Sequence, residues 1–457
     1  MSPPPRMPGE APPDLGPARD PRSARTAAYA LGVLVTAAVF AAVNRQILVL
    51  LGEPIRQSLG LSDTQLGLLQ GLGVTLFCGL AAVPIGWLAD RFGRRRLLAL
   101  CIVVWSAATA ACGMAQDFTA LFAAAAVLGI GEAGLTPIVY GLLPDAVPAR
   151  RRALANGIFT LAVILGAGLG IAFSGAIVQA LGSASGVLPP ALQGLEAWRL
   201  AFLFVALPGP LVALLVLLIP VRRGAAVPPG AAAPPGRSPT WDYLRQHRRT
   251  VVGIFGGTGL AALGLAAVSN WLPVVATRRF GASAAEVGQG VGLGYIVGTL
   301  VGAAGGAWAV RRLAQRHGVA TPVRVTVWSI ALGSVAAAAM PLAAAARQLY
   351  LLVGLQVAAL IAASVLAPTL LQDMTPAAQR SRLIAVGGLV SVSMSSLSPP
   401  LVGLISDALG AAANGLLAAM AAVSALAMAG GALLVRTAEH SFVGTVKAVR
   451  HGQPDAP

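Results

Sequence analysis

Charged side chains are scarce in this chain: 11% of its 457 residues are Asp, Glu, Lys or Arg, where an ordinary soluble domain carries about 25%. With so few charges and a mean hydropathy of +0.78 the chain has too little polar surface to face water, which excludes a soluble enzyme. Lysine is almost missing. Of the 32 basic residues only Lys447 is lysine, a bias we attribute to GC-rich coding rather than to binding chemistry. The formal net charge is still +16, but a nucleic-acid binder would gather its basic residues on one soluble face. Here they are scattered between apolar runs, which excludes that class as well. Cysteine is limited to Cys78, Cys101 and Cys112, all inside apolar runs and without metal-ligand spacing. The four histidines, His247, His317, His440 and His451, lie in polar connecting or terminal segments. An intramembrane metalloenzyme is thereby excluded, and neither a metal nor a cofactor is expected.

Apolar length is what the sequence has in quantity, with 56% hydrophobic residues. A bilayer core about 30 Å thick takes roughly 20 apolar residues per helix. Such runs occur at 27–51, 65–89, 97–115, 118–143, 153–181, 198–220, 251–276, 284–310, 323–345, 349–371, 383–406 and 409–435. Each must be helical, because in hydrocarbon only a helix or a closed barrel satisfies its own backbone, and barrel strands are about ten residues long with strict alternation. The expected fold class is therefore an all-α membrane protein with twelve spans. The N-terminal tail, alternate loops and the C-terminal tail hold 26 of the 32 basic residues, the opposite loops hold five, and Arg45 lies within a span. That asymmetry predicts an inner-membrane protein with both termini cytoplasmic. The Pro- and Arg-rich start reads as a disordered tail rather than a signal peptide.

The longest polar connection contains Pro228-Pro229 and Pro234-Pro235 and divides the spans six and six. The predicted organisation is a tail over 1–26, a six-helix bundle over 27–220, a linker over 221–250, a second bundle over 251–436 and a tail over 437–457. Two features recur across the linker. Gly86-Trp-Leu-Ala-Asp90-Arg91 after span 2 is echoed by Gly306-Ala-Trp-Ala-Val310-Arg311 after span 8, and Asp145 and Asp373 are each followed seven residues on by Arg, Arg152 and Arg380. Matching positions in two halves point to duplicated units with a substrate site between them.

Gly129-Ile-Gly131-Glu132-Ala-Gly134 formally matches a dinucleotide fingerprint, but it lies inside an apolar span with no preceding strand, so the small residues serve helix packing instead. Glu132 is the one acid placed deep in a span, and Arg45 the one base. Intramembrane charges face a cavity or a partner, so Arg45 and Glu132 are expected to share a central cavity, each offsetting the other's burial. The alternative for Arg45 is snorkelling to the outer headgroups. Further polar residues in the spans include Gln70, Gln289, Gln356 and the run Ser391 to Ser398; Tyr140, Asn156, Asn270 and Tyr295 are the candidates for the cavity wall.

The loop Gly86-Trp-Leu-Ala-Asp90-Arg91-Phe-Gly93-Arg94-Arg95-Arg96 resembles the signature loop of the major facilitator superfamily, and the resemblance extends over the whole chain. It implies two six-helix bundles working by alternating access. It also implies a conformational latch at Gly86, Asp90, Arg91, Gly93 and Arg94, with Gly86 allowing close helix approach and Asp90 meeting the start of helix 11. The second copy has Val310 where the acid belongs, which implies a weaker latch there. The run Asn44-Arg45-Gln46-Ile47-Leu48 through Glu53-Pro54-Ile55, then Leu59-Gly-Leu-Ser62-Asp63-Thr64-Gln65-Leu66-Gly67, is similar to the spinster branch, which includes exporters of lysophospholipid and sphingoid lipids. Ser62 followed by Gln65 also reads as a capping box that starts span 2. The branch usually has Asp where this chain has Asn44, and Arg where it has Ala125. One acid and one base are thus removed together, which leaves Glu132 as the intramembrane proton carrier if the protein is proton-coupled.

The expected function is secondary active transport of an amphiphilic or lipophilic anion such as a lysolipid, with Arg45, Glu132 and Asn44 at the substrate and proton site. The expected partners are a small-molecule or lipid-like substrate, protons and membrane lipids. The competing readings are a drug or organic-anion exporter of another branch, which outward-facing Asn44 and Arg45 would favour; a facilitator without proton coupling; and a non-transporting sensor or scaffold, which Asn44, Ala125 and Val310 admit.

Overall fold

The structure, a computed structural model, describes residues 21–148, 151–183, 194–220, 239–366, 370–371, 374–375, 380–410 and 413–451. Among the described residues, eleven stretches are long and apolar enough to cross a membrane. The eighth, Ala284–Leu342, has 59 residues, which as one helix would measure about 90 Å, three times the hydrocarbon thickness. It is two helices, Ala284–His317 and Thr321–Ala339, joined by the short turn Gly318–Ala320. Twelve spans result. Span 1 is Arg25–Leu50, span 2 Asp63–Ala89, span 3 Arg94–Met114, span 4 Phe118–Ala146, span 5 Leu154–Leu181 and span 6 Ala197–Leu217. Span 7 is Arg248–Phe280, spans 8 and 9 are the two just described, span 10 is Ala346–Ser364, span 11 Arg382–Ala408 and span 12 Asn414–Thr437. No described residue is in a strand.

Three predicted segments differ in detail. The helix of span 1 begins at Pro21, inside the predicted tail; residues 1–20 lie outside the described residues. In the predicted linker, 221–238 also lie outside them, but Pro239–Gln246 is helical. The C-terminal tail holds a further helix, Glu439–His451. That helix packs back on the linker: Phe442 and Val446 are fully buried, and the Thr445 hydroxyl lies 3.1 Å from that of Thr250 and 3.3 Å from the His247 ring. A hydroxyl bond from Tyr243 to the Met374 carbonyl ties the linker helix to the segment after span 10.

With an even number of spans, span 1 begins and span 12 ends at one face, here the terminal face; the other is the far face. The bundles meet through spans 5 and 8 and spans 2 and 11. Close approach is set by glycine. A Cβ on Gly168 would lie 2.8 Å from the Gly292 carbonyl, and one on Gly175 would lie 3.0 Å from the Gly288 Cα. At Gly67 and Gly71 of span 2 a Cβ would overlap the backbone of Pro399 and Ser396 in span 11. Pro399 and Pro400 lack the amides that would bond the carbonyls of Ser395 and Ser396, and span 2 opposite them widens into a π-turn over Leu69–Leu76. Such departures from regular helix occur often at functional sites.

Candidate functional site

Arg45 on span 1 reaches across to Glu132 on span 4: Nη2 and Nε both donate to Glu132 Oε2, at 2.7 and 3.0 Å. The pair is asymmetric. Glu132 has 1% of its side-chain surface exposed and Arg45 has 53%. The carboxylate is therefore sunk in the first bundle beneath a guanidinium whose free side faces open space. Span 4 breaks at this point, with one helix ending at Glu132 and the next starting at Leu135. A Cβ on Gly131 would lie 2.8 Å from the Trp105 Cβ, and one on Gly134 would lie 2.8 Å from the Cys101 sulfur. Gly131 and Gly134 of the false fingerprint thus press the broken helix onto span 3, while Gly129 packs on Val74 of span 2.

The space above Arg45 is a cavity of about 310 Å³ between the bundles, whose polar lining includes Gln70, Ser269, Asn270, Tyr295 and Ser395. Tyr295 donates to the Ser269 hydroxyl at 3.0 Å, and Asn270 donates to the Ala266 carbonyl at 2.8 Å. Gln70 is 2% exposed, and neither atom of its carboxamide has a partner. Leaving a buried amide unpaired costs about 1–3 kcal/mol, so no hydrogen bond among the described residues accounts for Gln70 in this position. In the sequence it is one of several polar residues of the spans. Its signal is the π-turn that carries it, and a residue string does not announce a π-turn.

Of the other site residues predicted from sequence, Asn270 and Tyr295 line this cavity and three others do not. Asn44 is the first: it is fully buried, donates to the Phe40 carbonyl at 2.8 Å and accepts from the Thr109 hydroxyl at 2.7 Å. One residue of helix turns a side chain by about 100°, which sends Asn44 into the bundle core beside span 3. Tyr140 is the second, its hydroxyl 2.8 Å from that of Thr160 and its ring edge-on to Phe159. Asn156 is the third, with a partnerless side-chain oxygen. Ala125 is fully buried and would lie 3.6 Å from a Cβ on Gly73 of span 2, so the position of the missing base is closed by packing.

At the predicted latch, a Cβ on Gly86 would meet only Pro137, at 4.0 Å. The close helix approach expected there is absent in this arrangement. Gly93 has φ +90°, which makes it the turn into span 3. Arg94 donates to the Gly141 carbonyl at 2.9 Å and to Asp145 at 3.2 Å, both on span 4 of its own bundle. Arg91 lies over the rings of Trp87 and Phe92. The Asp90 side chain lies outside the described residues.

The far face carries a lock between the bundles that the sequence reading did not contain. Arg278, at the end of span 7, donates to both oxygens of Asp63 at 2.9 and 2.8 Å and to Glu53 at 2.7 Å. Arg56 and Gln57 complete the shell of Glu53, at 3.0 and 2.9 Å. Asp407, at the end of span 11, accepts from the backbone amides of Asp63 and Thr64 at 3.0 and 2.9 Å. A carboxylate of the second bundle thereby caps a helix of the first. That helix begins with the capping box expected at Ser62 and Gln65.

Burial pushes the Glu53 carboxyl up, but hydrogen bonds from Arg56, Arg278 and Gln57 outweigh it and hold the group below its ordinary value of 4.5. A lowered value means the lock gains from ionised Glu53 at every pH above 4.5 and loses that gain as pH falls through the lowered value. The distance between spin labels at Gln116 and Arg347, at the far-face ends of the two bundles, should therefore stay constant from neutral pH down to about 4.5. It should lengthen only in stronger acid. Lengthening already near neutrality would show that Glu53 does not hold the lock.

The model of the Major Facilitator Superfamily matches residues 33–327. The chain belongs to the major facilitator superfamily. Among curated facilitators, an "MFS-type efflux pump" of Mycolicibacterium smegmatis is 28% identical over 397 residues, 85% of this chain and 87% of that one. The sphingosine-1-phosphate transporter SPNS2 of Mus musculus is 35% identical over 131 residues, 28% of this chain and 24% of its own length. Among solved facilitator structures, a bacterial homologue of the human lysosomal transporter Spinster superposes with a TM-score of 0.73 at 22% identity, covering 94% of this chain and 99% of that one. The fold is thus the two-bundle facilitator fold, and the chain is a spinster-like multi-pass membrane transporter.

Proposed function

We propose that this transporter moves an amphiphilic organic anion by alternating access, with Arg45 as its anion contact and Glu132 as its proton-accepting counterweight. The observation that carries this is the asymmetry of the pair. A cation half-exposed in a mostly apolar cavity is an anchor for one acidic headgroup, and the sunken carboxylate neutralises it while the cavity is empty. An arriving anion competes for Arg45, and protonation of Glu132 releases the guanidinium to it. The unpaired Gln70 and the adjacent Asn270 supply hydrogen bonds for the rest of the headgroup. Asn44 contributes to the rigidity of span 1 rather than to binding.

The positive-inside bias supports a cytoplasmic terminal face in the inner membrane, and the far-face lock then leaves the cavity on the cytoplasmic side of the barrier. A different exporter branch would be favoured by Asn44 and Arg45 facing lipid; Asn44 is instead buried against Thr109, and Arg45 lines the cavity. The test is flux of fluorescent lysophospholipid in proteoliposomes, with and without an imposed pH gradient. Gradient-driven flux that Glu132→Gln abolishes is the expected result. Flux indifferent to both the gradient and the substitution would overturn the role of Glu132 and leave a facilitator; no flux at all would overturn the amphiphile reading.

A further inference from the structure

The linker enters span 7 through two short helices, Pro239–Gln246 and Arg248–Val251, with His247 as the turn between them. One side of this stretch is buried at Tyr243, Thr250 and Ile254. Tyr243 holds the Met374 carbonyl, and the Thr250 hydroxyl meets Thr445 of the C-terminal helix. The opposite side carries Trp241, Arg245, Arg248 and Val252, all exposed. At about 100° per residue these four fall within a sector of about 60°. The Arg245 guanidinium lies 5.3 Å from the centre of the Trp241 ring, and Asp242 and Arg249 flank the stripe, both exposed.

Val252 sets the depth of this face. It is 60% exposed and lines neither cavity, so within span 7 it meets hydrocarbon. Arg248 and Arg245 stand about 6 and 10 Å further out along the helix, and headgroups add about 5–8 Å to each side of the hydrocarbon. The two guanidinium groups thus reach the level of lipid phosphates, with Trp241 as the kind of amphipathic ring that this layer favours. Among the described residues no carboxylate pairs with Arg245, Arg248 or Arg249, whereas Arg94 and Arg324 on the same face of the protein are held by Asp145 and Glu439.

We propose that this face is a docking surface for the lipid leaflet at the terminal face, where Arg245 and Arg248 bind the phosphate of an anionic glycerophospholipid and Trp241 lies beside its glycerol. Arginine suits that group because its planar fork donates two parallel hydrogen bonds to phosphate oxygens. The surrounding positive charge adds to the preference for a headgroup that carries net negative charge. Tyr243 ties the linker helix to the second bundle on one side, and the lipid holds it on the other. The surface lies outside both cavities, and its role is independent of the cargo.

The experiment titrates the full chain in detergent with phosphatidylglycerol or phosphatidylcholine of matched chains and counts bound lipid by native mass spectrometry. Phosphatidylglycerol should bind more tightly. Arg245→Gln/Arg248→Gln should lower its affinity by about fivefold for each arginine and leave phosphatidylcholine unchanged. Arg279→Gln/Arg347→Gln, both exposed on the far face, removes the same charge and should leave phosphatidylglycerol binding as it was. Placement is read in nanodiscs of brominated lipid, where the tryptophan emission lost in Trp241→Phe should be emission that bromine quenches. An equal loss of affinity in the far-face variant overturns the surface, as does an unmodified protein with no preference for phosphatidylglycerol. Emission from Trp241 that bromine leaves unquenched also overturns it and puts the helix in water or against another protein.

Discussion

Arg45→Ala is expected to destabilise the protein by on the order of 3 kcal/mol and to abolish transport, while the double variant Arg45→Leu/Glu132→Gln recovers most of the stability and none of the transport. Removing one member of a buried ion pair costs about 3–5 kcal/mol, because the partner is left charged in a medium that does not solvate it, and replacing both members is often neutral. Glu132 is the sunken member, at 1% exposure, so the effect of losing Arg45 falls on it. The lower end of the range applies because Arg45 itself keeps half its surface in the cavity, where water attenuates the pair. Thermal unfolding of the unmodified protein and these two variants, with flux on each, separates the two contributions. Equal stability of Arg45→Ala and the unmodified protein would sink the idea that the pair neutralises Glu132.

Arg278→Ala is expected to have the largest conformational effect of any single substitution. Arg278 answers two carboxylates, Glu53 and Asp63, whose side chains are 5% and 0% exposed. Without it the cation left beside them among the described residues is Arg56, 3.8 Å from Asp63 and also engaged with Glu53. Asp63 accepts from Ser406 as well, at 2.7 Å, but a hydroxyl does not neutralise charge. Relief comes from parting the bundles and admitting water. A loss of about 3 kcal/mol shifts the equilibrium by more than a hundredfold. The labels at Gln116 and Arg347 should report a longer distance as the dominant population at neutral pH. An unchanged distribution would show that helix packing alone holds the far face shut. Asp407→Ala should act in the same direction but more weakly, since a helix cap contributes about 0.5–2 kcal/mol.

The spans were legible because hydrocarbon imposes a length and a helical backbone, and both leave marks that survive in a bare residue string. Arg45 and Glu132 were legible as a pair for a similar reason: two opposite charges deep in apolar runs have few places to go. Asn44 was not, because adjacency in sequence says nothing about the face of a helix, and the hydrogen bond to Thr109 that holds it is made by a residue 65 positions away. The lock was missed because its members sit at span ends, where acids read as loop residues or caps. A signal was nevertheless present. Gly403 and Asp407 at the end of span 11 repeat the four-residue spacing of Gly86 and Asp90 at the end of span 2. Family resemblance put an acid from span 2 at the start of span 11. The structure has an acid from span 11 at the start of span 2, with Gly403 allowing the approach, since a Cβ there would overlap the Asp63 backbone.

The far-face lock also bears on how tightly cargo is held from each side. A binding site that exists in only a fraction of the molecules shows an apparent affinity reduced by that fraction. Each kcal/mol by which Arg278, Asp63 and Asp407 favour closure divides the far-open population by about five. The same contacts, offered to the same cargo, therefore make a weaker binder when approached from the far face than from the terminal face.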